Sequence, residues 1–102
     1  MALDFSILGD NGAPQGGVEL SPALHPDLME AARANGLRII QRFDDYYEDS
    51  AVAPDELAEW LAEVAALRNL AIPQELLMFL GRLDKLIRVA AGQGKAVVSI
   101  AD

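Results

Sequence analysis

The sequence predicts an α+β fold in which about four helices pack with a small antiparallel sheet. At the N-terminus, apolar and polar residues alternate with the period of a strand that buries one face. Farther along, apolar residues recur every three or four positions, as in an amphipathic helix. The last residues form a short β-prone stretch. A length of 102 residues suits one domain, 1–102, with a single core.

Residues 2–21 predict a β-hairpin. The alternation begins at Leu3, and a glycine-rich segment, 9–17, favours a loose turn before the second strand. The β-prone stretch 96–100 is a candidate third strand of the same sheet. We therefore expect a small antiparallel sheet that consists of the N-terminal hairpin, either alone or together with the C-terminal strand.

Four helices are predicted between these strands. Pro26 suits the first turn of a helix and Asn35-Gly36 suits its end, so the first helix is placed at about 26–35. The segment 37–47 fits either a helix or a strand, and we interpret it as a helix. Its apolar residues are Leu37, Ile39, Ile40, Phe43 and Tyr47.

The third and fourth helices begin at prolines and carry long apolar stripes. Pro54 opens the third and Pro73 opens the fourth, which ends at Gly92-Gln93-Gly94. The two stripes are expected to face the core. They consist of Leu57, Trp60, Leu61, Val64 and Leu67, and of Leu76, Leu80, Leu83, Ile87 and Ala90.

Composition limits the classes of partner and the compartment. The formal net charge of -8 argues against direct binding to nucleic acid or to anionic membrane surfaces, and it permits basic protein partners. The chain has no cysteine, which favours a reducing compartment. The N-terminus lacks the features of a signal peptide, and no apolar run approaches the ~20 residues of a membrane span. We expect a cytoplasmic protein.

The negative charge is concentrated in one part of the sequence. From Phe43 to Leu67 there are eight acidic residues and no Lys or Arg. Asp55, Glu59 and Glu63 follow one another at i, i+4 spacing, where like charges are unfavourable. A solvated acidic face is one interpretation, and a binding surface is the other. The unrelieved repulsion favours the binding surface.

Two adjacent tyrosines lie inside this acidic stretch. Tyr47 shares helical spacing with Phe43 and is expected to be partly core, whereas Tyr46 lies with the acids and is expected to be exposed. The alternative is that both tyrosines cover the edge of the core. Tyrosine is common among the residues that dominate binding energy at interfaces. The predicted partner-binding residues are Asp44, Asp45, Tyr46, Tyr47, Glu48, Asp49, Asp55, Glu56, Glu59 and Glu63.

A tyrosine pair flanked by carboxylates resembles the immunity proteins of the colicin DNase systems. Those proteins bind a basic toxin nuclease through a tyrosine pair and neighbouring acids, although they carry a proline after the tyrosines where this chain has Glu48. The segments around Leu3, Tyr46-Tyr47 and Ile100 also look like small bacterial proteins associated with polymorphic or contact-dependent toxins. The resemblance implies an immunity protein that neutralises a basic toxin domain. We further expect no cofactor, and a monomer or weak homodimer when the protein is free.

Catalytic patterns are not found in the sequence. His25 is the only histidine, so one chain cannot build a histidine-based triad or a two-histidine metal site. We predict no catalytic, cofactor-binding or metal-binding residues. Two alternatives remain, which are a subunit that self-associates through the apolar face of the fourth helix and a carboxylate- or metal-dependent hydrolase. The carboxylate pairs Asp45/Asp49 and Glu59/Glu63 are the candidates for the hydrolase.

Overall fold

A computed structural model describes residues 3–45 and 49–101 of the chain. Within these residues there are four strands and three α-helices, so the α+β class is confirmed. The elements are β1 Leu3–Leu8, β2 Pro14–Leu20, α1 His25–Ala34, β3 Ser50–Val52, α2 Leu57–Arg68, α3 Gln74–Gln93 and β4 Val97–Ala101. Two short 3-10 helices, Ile40–Phe43 and Pro54–Glu56, lie between the longer elements.

The strands form one antiparallel sheet in the order β2-β1-β4-β3. The predicted hairpin corresponds to β1 and β2, and the C-terminal strand pairs with β1, as the sequence indicated. The third strand, β3, was not predicted because it has only three residues and lies inside the acidic stretch. The sheet therefore has β2 at one edge and β3 at the other.

The helices pack against one face of the sheet and enclose an aromatic cluster. Phe5 of β1 lies at its centre, with ring centroids 5.0 Å from Phe43, 6.0 Å from Trp60 and 5.9 Å from Phe79. All four side chains are at most 2% exposed. Edge-to-face and tilted aromatic contacts of this kind add to the free energy gained from burial. The cluster connects the sheet to α2, α3 and the first 3-10 helix.

The predicted helix at 37–47 is wrong in extent. The structure has only a 3-10 helix at Ile40–Phe43, in which the N–H of Arg42 bonds to the carbonyl of Ile39 and the N–H of Asp44 to that of Gln41, three residues back in each case. The backbone N–H groups of Ile39 and Ile40, at the start of this 3-10 helix, donate to the carboxylate of Glu63. The part of the predicted helix beyond residue 45 falls on Tyr46 and Tyr47, which lie outside the described residues.

The other helices match the sequence closely. Pro54 begins a turn that leads into α2, and α3 runs from Gln74 to Gln93 before Gly94 ends it with a φ of 65°. The apolar stripe of α3 is fully used inside the molecule, since Leu76, Leu80, Leu83, Ile87 and Ala90 are at most 2% exposed. No apolar surface therefore remains on that face for the self-association that the sequence left open.

Candidate partner-binding surface

An acidic loop connects the first 3-10 helix to the edge strand β3. Its described residues are Asp44, Asp45 and Asp49, and all three are exposed. Tyr46, Tyr47 and Glu48, which follow Asp45 in the sequence, lie outside the described residues. The loop stands at the β3 edge of the sheet, at the far side from β2.

Both ends of the acidic loop are fixed to the body of the protein. At its start, Phe43 is buried, and its carbonyl oxygen lies 2.7 Å from Nε2 of His25. At its end, Oδ1 of Asp49 accepts a hydrogen bond from the backbone N–H of Ala101 at 2.8 Å. The described residues on either side of positions 46–48 are therefore anchored, and anchored residues lose less conformational entropy when they bind a partner.

An apolar depression adjoins the acidic loop on the outer face of the sheet. Its volume is about 480 Å³, and Asp49 lines it together with apolar side chains. Val98 and Ile100 of β4 contribute to its floor, and Leu8 of β1 is 37% exposed at its border. These residues were not predicted from the sequence. The available signal was the unbroken β-prone run at the C-terminus. A strand with only one buried face alternates apolar and polar residues, so an unbroken run places apolar side chains on both faces of the sheet.

Three arginines fold back onto the acidic stretch and reduce its charge. Arg38 and Arg42 lie within six residues before that stretch, and Arg33 lies earlier. A count of charges along the sequence therefore did not show that these arginines pair with its acids in the fold. The ion pairs are Arg33 with Asp44 at 3.0 Å, Arg38 with Glu59 at 2.8 Å, and Arg42 with Glu56. The predicted unbroken acidic surface is therefore wrong along α2, where Glu59 and its neighbour Glu56 already have cationic partners.

Glu56 has a structural role at the start of α2. Its carboxylate accepts hydrogen bonds from the Arg42 guanidinium and from the backbone N–H of Ala53. The bond to Arg42, followed by the bond to Ala53, lowers the pKa of Glu56 to about 2. Asp55 precedes it and is exposed. Of these two acids, Asp55 is the one more available to a partner.

Glu63 is not a surface residue, which corrects its assignment to the binding surface. It is 7% exposed, and its carboxylate accepts hydrogen bonds from the N–H groups of Ile39 at 3.1 Å and Ile40 at 3.0 Å. The sequence contained a signal for this. Glu63 stands three residues after Trp60 and four before Leu67, at the border of the apolar stripe.

The described residues contain no group of three or more His, Asp or Glu side chains that could hold a metal ion. In the same part of the chain, no helix is long and apolar enough to cross a membrane. The chain matches no protein-family model, no curated protein and no solved structure.

Proposed function

We propose that this chain is a non-enzymatic inhibitor of the immunity type, which binds a basic toxin domain in the cytoplasm and blocks it. The observation that carries the proposal is the acidic loop, fixed at both ends and bordered by an apolar depression. Carboxylates at a rim attract a basic partner, and an apolar pocket accepts one of its side chains. The interface would combine electrostatic attraction at its rim with a packed apolar contact in the depression.

The proposed surface is smaller than the sequence suggested. It keeps four exposed acids, Asp44, Asp45, Asp49 and Asp55, with Asp44 retained for its place in the loop although it pairs with Arg33. It retains Tyr46, Tyr47 and Glu48 on the sequence argument alone. It leaves out Glu56 and Glu59, which lie off the loop and pair with arginines, and Glu63, which is buried.

The mechanism of inhibition would be occlusion. A toxin domain that acts on nucleic acid needs clustered Lys and Arg to hold phosphates. The exposed carboxylates of Asp44, Asp45 and Asp49 offer those cations a competing anionic surface, and the bound inhibitor would exclude the substrate sterically. No group on the inhibitor has to react.

A matched pair of charge variants tests this function. The first carries Asp45→Lys and Asp55→Lys, and the control carries Asp27→Lys and Glu30→Lys, which are exposed on α1 and change the net charge equally. Immobilised wild-type protein and the control should retain the same predominant basic protein from source-cell lysate, and the loop variant should lose it. The retained protein, once purified, should be inhibited by the wild type. Equal retention by both variants would contradict the proposal.

A further inference from the structure

The helix α3 carries a second stripe on its solvent side. Glu75, Met78, Arg82, Lys85 and Val89 follow one another at intervals of three and four residues. Residues with this spacing lie along one face of a helix, as in the contact seam of a coiled coil. All five are exposed, in contrast to the apolar stripe on the core side.

Two features of the stripe are unusual for a solvated helix face. Met78 is 49% exposed and Val89 is 50% exposed, and they are the two most exposed of the large apolar side chains among the described residues. Arg82 and Lys85 form no ion pair with the described residues, although the other six Lys and Arg side chains each do. The stripe thus leaves both apolar area and cationic groups for an external partner.

The stripe borders a groove along the edge strand β2. The groove consists of two open depressions, about 390 and 460 Å³ in volume, which share Val18 and Arg82. Gly17 lies in its wall, and no atom would meet a Cβ placed there. The wall of the groove at Gly17 is therefore unobstructed.

The charge pattern of the stripe is self-complementary when two copies of the helix run antiparallel. Glu75 and Arg82 lie seven residues apart, and Met78 is close to their midpoint. When two copies of α3 run antiparallel about a two-fold axis near Met78, Glu75 of each copy faces Arg82 of the other. A two-fold interface requires this kind of self-complementary surface.

We infer that two copies of the chain associate as a two-fold dimer through the Glu75–Arg82 part of the α3 stripe. This contact is independent of the proposed function. The stripe adjoins β2, whereas the acidic loop adjoins β3 at the opposite edge, roughly 14 Å away across the sheet. The dimer would keep both acidic loops accessible and present two of them to partners.

Charge reversal with rescue tests the dimer. Sedimentation velocity on the wild type, from about 5 to 500 µM, should show dimers that increase with concentration. Glu75→Arg alone and Arg82→Glu alone should each raise the dissociation constant by about tenfold or more, because like charges then face each other. An equimolar mixture of the two variants should associate again, since each unlike pair is restored between them.

Three controls separate this contact from a general effect of charge. Glu30→Arg, on α1, makes the same charge change as Glu75→Arg and should leave the dimer unchanged. The double variant Glu75→Arg/Arg82→Glu should dimerise like the wild type. Circular dichroism should show that every variant is folded. A wild type that stays monomeric throughout, or a mixture that fails to associate, would overturn the inference, and the stripe would then belong to a different partner.

Discussion

Glu63 of α2 accepts a hydrogen bond from the backbone N–H of Ile40 at 3.0 Å, although the two residues are 23 positions apart in the chain. Its second oxygen accepts the N–H of Ile39. These bonds fasten the connection between α1 and β3 to α2, and they satisfy two buried donors at the start of the 3-10 helix. The acidic loop begins at Asp44, directly after the 3-10 helix Ile40–Phe43, so the position of its start depends on this buried carboxylate.

Replacing Glu63 with Ala should destabilise the fold strongly. The change leaves two buried N–H groups without acceptors, and each such group costs about 1–3 kcal/mol, so we expect a loss of roughly 2–4 kcal/mol in the free energy of unfolding. Urea denaturation followed by circular dichroism measures it. Glu59→Ala is the matched control, because it removes only an exposed ion pair and should cost less than about 1 kcal/mol. Equal losses for the two variants would contradict the structural role of Glu63.

Glu56 should make stability depend on pH in the acidic range. Its pKa is about 2 in the folded chain and 4.5 as the ordinary value, so its carboxylate stabilises the fold. That contribution is fully present above pH 4.5 and is lost as the pH falls from about 4.5 to about 2. The wild type should therefore be more stable than Glu56→Gln at about pH 6, and the difference should shrink steadily below pH 4.5. A difference that stays constant down to about pH 2 would exclude this role.

Alanine should change the stability in opposite directions at two glycines, one inside α3 and one at its C-terminal cap. Gly94 adopts a φ of 65°, which an alanine side chain disfavours, so Gly94→Ala should cost about 1–2 kcal/mol. Gly92 lies within the helix with no atom near a Cβ, and Gly92→Ala should stabilise by up to about 1 kcal/mol. Thermal unfolding of the two variants compares them. The same sign for both would show that the C-terminal end of α3 is placed wrongly.

Trp60 should tolerate phenylalanine better than its full burial suggests. Its indole N–H has no hydrogen-bond acceptor among the described residues, so Trp60→Phe removes an unsatisfied donor along with some apolar area. We expect a loss below about 1.5 kcal/mol, against about 3–5 kcal/mol for Trp60→Ala, which opens a cavity. Circular dichroism is the suitable probe, since Trp60 is the only tryptophan. A loss as large as that of Trp60→Ala would indicate that the indole N–H is satisfied.

The elements that the sequence predicted well are those in which one local pattern dominates. The alternation from Leu3 and the stripe that ends at Leu67 each identify a buried face without knowledge of any neighbour. The segment 37–47 fitted either a helix or a strand, so no single local pattern identified its short 3-10 helix. The short strand β3 has too few residues to show a period.

The candidate surface was harder to predict, because electrostatics depends on tertiary contacts. Counting along the sequence found eight acids without a base, but Arg33, Arg38 and Arg42 lie before that window and return to it through the fold. The apolar depression was missed for a related reason. By sequence alone Val98 and Ile100 look like core residues, and only the structure shows that they lie on the outer face of the sheet.

The binding kinetics of the captured partner test the central claim most directly. Asp45→Lys with Asp55→Lys should lower the association rate constant and weaken its dependence on salt, because the rim steers the encounter. Val98→Asp, in the depression, should mainly raise the dissociation rate constant, because it removes packed apolar contact. Surface plasmon resonance at two salt concentrations separates the two effects. We expect this division between the two rate constants, and the claim is contradicted if neither variant changes either of them.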